Sequence, residues 1–240
     1  MKISRFMDNF IAANTYVIVP TGGDEALVVD PGAGCAAWVQ SELERLGVRL
    51  GAVLFTHGHG DHVWDGAAVA GEAPAYVARA DLYRLEDPVK DTALPGFALG
   101  LGRMGASEQW VKPKGVTALP AEIYSQAVEL VPGLPMRAVA TPGHTEGSTV
   151  FLFEGVVEEA FYAKLVNPEL RTYMLAGDVL FRGSVGRTDL PGGDQYEMQA
   201  SLRFLVNSIK PDVFVLPGHG EITTMWTETR ENPYLHEAMS

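Results

Sequence analysis

Cysteine is almost missing from this sequence: 240 residues contain one, Cys35, which excludes an internal disulfide and a cysteine-rich structural zinc site. Basic residues are scarce as well, with 18 Lys and Arg against 30 Asp and Glu. The net charge of −12 argues against a general binder of nucleic acid or anionic membrane. No apolar run approaches the roughly 18 residues of a membrane span. No nucleic acid and no membrane are therefore expected as partners. The opening residues place Asp8 where a signal peptide would need an uninterrupted apolar stretch, so a cytoplasmic location is expected. Internal repeats and low-complexity tracts are absent too. What remains is 47% hydrophobic and 20% charged, an ordinary globular composition, and this length suits one domain spanning residues 1–240.

Hydrophobic periodicity switches repeatedly between two and about 3.6, the pattern of a layered α/β protein. Thr15–Val19 and Ala26–Asp30 are β-type runs joined by the turn formers Thr21 to Asp24, so two strands are expected to open the fold. Val39, Leu43 and Leu46 form one helical stripe over 36–46, with Gly47 placed for a left-handed cap. A continuous apolar strand, Gly51–Phe55, precedes a polar cluster and a helix expected over about 61–72. Glycine and proline punctuate 91–120, at Leu94-Pro95-Gly96, Gly100, Gly102, Gly105 and Pro113, which predicts a loop. Phe97, Met104 and Trp110 would make that loop an apolar lid over the site. The formal GxGxxG match at 100–105 lacks a strand before it and a helix after it, so no dinucleotide is expected. Strands are then predicted over 127–131, 137–140, 149–153 and 173–176. A helix follows, started by Asp194 and Glu197 at capping-box spacing and carried by Met198, Leu202 and Leu205, and the strand Val213–Leu216 comes after it.

The cluster after the apolar strand reads Thr56-His57-Gly58-His59-Gly60-Asp61-His62. A lone histidine after a strand is ordinarily a turn or core residue; four potential ligands in six positions are not. In an extended segment His57 and His59 project to one side, and the glycines let Asp61 and His62 aim at a second point nearby, so one segment can serve two metals. Imidazole with carboxylate suits Zn²⁺, Fe or Mn²⁺. His144, Asp178 and His219 each follow a strand beside a glycine, and ligands from several loops at one sheet edge converge on one cleft. His236, near the terminus, reads as an exposed tail residue.

At these residues the sequence resembles the metallo-β-lactamase superfamily, through HxHxDH at 57–62 and the ordered His144, Asp178 and His219. The likeness extends over most of the chain: Asn14-Thr15-Tyr16 and Asp30-Pro31-Gly32 match the family's opening hairpin. Gly177-Asp178, Gly186-Arg187-Thr188-Asp189, Pro191-Gly192-Gly193-Asp194, Glu228 and Asn232-Pro233-Tyr234 are similar to the short glyoxalase II-type hydrolases. The resemblance implies a four-layer αβ/βα sandwich, two packed sheets with outer helices. It implies that His57, His59 and His144 hold one divalent ion, that Asp61, His62 and His219 hold another, most often zinc, and that Asp178 bridges them. Two such ions sharing a water present hydroxide near neutral pH, and Asp61 would orient that nucleophile. Aspartate at 178 and histidine at 59 match the glyoxalase type and not the flavodiiron pattern.

A thioester is the easiest substrate for such a site, since a thiol of pKa about 8.5 departs without a dedicated acid. Arg187 stands where glyoxalase II-like proteins carry a basic residue for a carboxylate of glutathione; alternatively it pairs with Asp189 or Asp194 and stiffens its own loop. The expectation is a metal-dependent hydrolase of a small-molecule thioester, a glutathione thioester such as S-lactoylglutathione. A persulfide dioxygenase using one iron at His57, His144 and Asp178, and a lactone hydrolase, are the alternatives on the same fold.

Overall fold

The structure is a computed structural model and describes residues 1–92 and 97–240. Alternation of apolar side chains decides how its layers stack. Every residue of the strand Asn14–Val19 is buried, Tyr16 and Ile18 on one face and Val17 and Val19 on the other. A strand apolar on both faces belongs inside a sheet covered on both sides. Leu27 and Val28, Leu54 and Val53, and Tyr173 and Met174 split between faces in the same way.

The first sheet has seven strands, ordered edge to edge Glu159–Ala160, Lys2–Met7, Asn14–Val19, Glu25–Val29, Arg49–Leu54, Ala75–Val77 and Val116–Ala118. The second has six, ordered Thr223–Thr224, Phe214–Pro217, Asn167–Gly177, Thr149–Val157, Pro135–Ala140 and Val128–Glu129. Ile18, Leu27 and Leu54 of the first meet Phe151, Phe153 and Leu175 of the second in the central core. Val39 and Ala70, from the helices Ala36–Leu46 and Gly66–Ala70, cover the outer face of the first sheet. Met198, Leu202 and Leu235, from Gln195–Ser208 and Pro233–Ala238, cover the second. This is the expected four-layer αβ/βα sandwich.

Local signals set several boundaries. Gly47 ends the first helix at φ 67°, its N–H bonded to the carbonyls of Leu43 and Glu44. Asp194 starts Gln195–Ser208, its carboxylate accepting from the N–H groups of Tyr196 and Glu197. Replacing Asp194 by alanine should cost about 1 kcal/mol and lower Tm by about 3 °C; an unchanged melting curve would show that the cap contributes nothing.

Other expectations need correction. Three strands open the fold, since half-buried Lys2–Met7 pairs along the edge of Asn14–Val19. The helix expected over 61–72 is two short ones, Gly60–Val63 and Gly66–Ala70. Asp65, between them, is drawn into tertiary bonds: its N–H donates to Pro31 O and its carboxylate accepts from Ala36 N. The strand expected over 127–131 is reduced to Val128–Glu129. Within 91–120 the structure places a helix, Phe97–Met104, and the strand Val116–Ala118. Gly100 is helical; a Cβ there would meet the Phe10 ring at 2.7 Å, so this glycine permits close packing rather than a turn. Met104 and Trp110, expected to rim the metals, instead pack with Ala33, Trp64 and Leu101. Leu94, Pro95, Gly96 and the side chain of Phe97 lie outside the described residues. No helix among the described residues is long and apolar enough to cross a membrane.

Candidate metal centre

Strands from both sheets end at one edge of the sandwich, and their polar sequels meet there. Arg49–Leu54 leads into His57, His59, Asp61 and His62; Pro135–Ala140 leads to His144; Asn167–Gly177 delivers Asp178; Phe214–Pro217 delivers His219. Asn167–Gly177 and Phe214–Pro217 are parallel neighbours, and Gly218 N donates to Gly177 O at 2.7 Å, which sets Asp178 and His219 side by side. The first sheet grips the same loop: Asn14 Nδ2 donates to the carbonyls of Pro217 (3.0 Å) and Gly220 (2.9 Å), and Tyr16 Oη to Pro217 O (2.8 Å). All seven expected site residues other than Arg187 are thereby brought together.

They form two clusters. The ligating atoms of His57, His59 and His144 lie within 4.8 Å of one another, and so do those of Asp61, His62 and His219. Asp178 stands between, with Oδ1 at 3.3 Å from His62 Nε2 and Oδ2 at 3.4 Å from His144 Nε2 and 3.3 Å from His219 Nε2. The outward nitrogens are fixed. Nδ1 of His144 donates to Arg187 O at 2.7 Å and Nδ1 of His219 to Ile11 O at 2.9 Å, which turns each Nε2 inward toward the cluster. His59 Nδ1 then faces His144 Nε2 at 2.8 Å, and buried His57 Nε2 has no hydrogen-bond partner among the described residues. Nitrogen lone pairs converging on carboxylate oxygens away from water are the donor set of a divalent cation.

The electrostatics favour the same occupant. Burial pushes His57 well below the ordinary histidine value, His62 adding to the effect, and burial holds His59 at about 3. Both offer neutral lone pairs. Burial also opposes charge on His62 and His219, but the carboxylates of Asp178 and Asp61 outweigh it, raising His62 well above its ordinary value and His219 to about 10. Burial would push Asp61 and Asp178 up; His62 and His219 instead hold Asp61 at about 2 and Asp178 well below the carboxylate range. Ionised carboxylates at this depth require positive charge beside them. The clusters therefore fit a dinuclear divalent metal site.

Both clusters open into a cleft of about 310 Å³, walled by Ile11, Phe181, Val185, Leu190 and Arg187. The hairpin bearing Phe181 and Val185 is locked from behind: Asn232 Nδ2 donates to Ser184 O at 3.0 Å, and buried Glu228 accepts from Gly183 N at 2.8 Å and from Asn232 Nδ2 at 2.9 Å. Arg187 lies at the mouth, its guanidinium paired with Asp189 at 2.6 and 2.7 Å. Of its two expected roles the resting structure thus displays the ion pair with Asp189, while leaving the side chain at the cleft. Cys35 is buried, its thiol pushed well above the ordinary value by burial, and so is no nucleophile. His236 is exposed, with Nε2 near Thr229 O at 3.2 Å.

Two buried aspartates escaped the sequence reading of the site. Asp30, in the left-handed region at φ 48°, accepts from Thr56 N and Thr56 Oγ1, each at 2.7 Å, and meets His62 Nδ1 at 3.2 Å. Asp81 has no exposed surface and accepts from Gly58 N at 2.8 Å, between the first two histidines. Spacing gives no signal for Asp81; Asp30 stood in the opening-hairpin match without a role.

A family model for the metallo-beta-lactamase superfamily matches residues 8–157. An uncharacterized protein of Mycobacterium tuberculosis is 32% identical over 98% of this chain and 98% of its own length. Hydroxyacylglutathione hydrolase GloC of Haemophilus influenzae is 31% identical over 88% of this chain and 87% of its own. Among solved structures, the BLEG-1 B3 metallo-beta-lactamase superposes with a TM-score of 0.71 at 29% identity, covering 97% of this chain and 99% of that one. A protein solved in a di-iron-bound form superposes with a TM-score of 0.69, also at 29% identity, covering 96% and 98%.

Proposed function

Because this chain belongs to the metallo-beta-lactamase superfamily and is a metal-dependent hydrolase of that kind, we propose that it cleaves a thioester, a glutathione thioester such as S-lactoylglutathione. The observation that carries this reading is the composition of the cleft. Among its described lining residues, every titratable group except Arg187 belongs to the two clusters or is Asp178 between them. No side chain is left over to protonate a departing alkoxide or amine. A thiol of pKa about 8.5 leaves as thiolate without that help. The hydroxyacylglutathione hydrolase name of the Haemophilus relative supports the same substrate class.

In this reading His57, His59 and His144 would hold one ion and Asp61, His62 and His219 the other, with Asp178 available to both. Zinc suits the donor set, and iron or manganese would serve with the same ligands. Bound divalent ions supply Lewis acidity and a water acidic enough to be deprotonated near neutral pH. The rest is done by the protein. Asp61, kept ionised by His62 and His219 beside it, would accept a hydrogen bond from the attacking water and orient it. Phe181, Val185 and Leu190 keep bulk water from the acyl group. Arg187 exchanges Asp189 for a carboxylate of the thiol portion, which a guanidinium fork holds bidentately.

Thiol release from S-lactoylglutathione, followed beside oxygen uptake with glutathione persulfide on one preparation, tests the proposal. Thiol release without oxygen consumption is expected; oxygen uptake with the persulfide and an inert thioester would replace it with the dioxygenase reading. Arg187→Met should raise KM for the glutathione thioester about tenfold and leave KM for a thioester of a small neutral thiol unchanged. Equal effects on both substrates would remove Arg187 from carboxylate recognition.

A further inference from the structure

We propose that Asp81 is the positioning residue of the three-histidine cluster, setting the metal affinity of that cluster and not of its neighbour. Asp81 lies in the short 3₁₀ segment Arg79–Glu86, well before His144 in the chain, with its side chain wholly buried. Its Oδ2 accepts from Gly58 N at 2.8 Å and from Thr145 Oγ1 at 2.8 Å; its Oδ1 accepts from Gly147 N at 2.8 Å. Gly58 separates His57 from His59, and Thr145 follows His144. One carboxylate thus holds the backbone on both sides of the gap across which His59 and His144 face each other.

The fit leaves no slack. A Cβ on Gly147 would meet Asp81 Cγ at 2.5 Å, so this glycine makes room for the carboxylate. Arg84, also without exposed surface, donates from Nε to Asp81 Oδ1 at 3.3 Å and from Nη2 to Pro191 O at 2.8 Å, with Glu146 as a further partner. Asp81 therefore has a buried counter-charge beside it, shared with Glu146, and the bracket is anchored to the loop after Arg187. The other cluster is held differently. Asp30 meets His62 Nδ1 and takes both donors of Thr56, and none of the hydrogen bonds of Asp81 reaches Asp61, His62 or His219. Asp81 backs the three-histidine cluster alone, whereas Asp30 backs His62 directly and His57 through Thr56, whose Oγ1 lies 3.1 Å from His57 Nδ1. Partners behind metal ligands fix ligand orientation, and losing one weakens binding about 10–100-fold.

The inference rests on the metal reading of the site and not on the substrate, so it is tested by binding. Chelator-stripped protein is titrated with Co²⁺, following heat and the visible spectrum, with His144→Ala identifying the ion that the three-histidine cluster holds. Asp81→Asn should weaken that ion about 10–100-fold and leave the other unchanged. Thr145→Val keeps the carboxylate and removes one donor, and should weaken the same ion by less; it carries the test should Asp81→Asn fail to fold. Equal weakening of both ions, or unchanged affinity for the ion that His144→Ala removes, would overturn the proposal. Site-selective weakening in a protein inert toward thioesters would leave it standing and overturn the substrate reading alone.

Discussion

On the proposed thioesterase reading, replacing Asp178 by alanine should reduce thiol release by more than about 100-fold, since even residues behind a metal ligand cost 10–100-fold when lost. Asp178 is the side chain that touches histidines of both clusters, His62 and His219 on one side and His144 on the other. Its removal takes away the anion around which the imidazoles are arranged and leaves His219 with Asp61 at 3.2 Å, and His62 with Asp30 at 3.2 Å and Asp61 at 3.6 Å, as counter-charges. Metal content should fall together with kcat, because on the proposed reading Asp178 is the oxygen ligand that both ions share. Metal analysis and steady-state kinetics on one preparation check this. A variant with full metal content and near-normal kcat would show that Asp178 is a bystander to both clusters.

Stripping the metal should lower thermal stability sharply. An ion bound only by the native state, at a free concentration a thousandfold above its Kd, stabilises by about 4 kcal/mol. For a chain of this size each kcal/mol moves Tm by about 2–4 °C, so loss of one ion lowers Tm by roughly 10 °C. Without the ions, the charge of Asp61 and Asp178 is balanced by His62 and His219 alone, while His57 and His59 are left with buried, unpaired lone pairs. Scans with and without chelator, followed by re-addition of Zn²⁺, are the measurement. A Tm that ignores chelator would mean that the clusters hold no metal in the native protein.

The candidate site was legible where residue type and spacing coincide. The segment 57–62 concentrates ligands so densely that no other use of them is economical, and the strand-end positions of His144, Asp178 and His219 follow from apolar runs that stop beside glycine. A layered α/β protein was legible from the switching hydrophobic period, and the four-layer arrangement from the family resemblance. What stayed hidden depends on contacts across long stretches of chain. Asp81 is one acid in an unremarkable segment, and its partners at 58, 145 and 147 meet it only once both sheets are in place. Gly100 misled for the complementary reason. Its signal in sequence is that of a breaker, whereas its use is to admit the Phe10 ring against a helix. Arg187 pairs with Asp189 two residues on, a local ion pair that sequence allowed but did not select over a substrate contact.

The seam between the sheets has a kinetic consequence. His57 to His62 hang from the first sheet and His144, Asp178 and His219 from the second, with Ala13 bridged to His219 across the join. Neither sheet alone presents a complete cluster, so the ions find no home until the two halves have docked. Metal therefore acts late. Zn²⁺ should slow unfolding and leave the refolding rate unchanged, as interactions absent from the transition state do. In an unfolded or half-assembled chain the same histidines compete for metal with every other chelator in solution, and the ion is held in the geometry described above only by a protein that has finished folding.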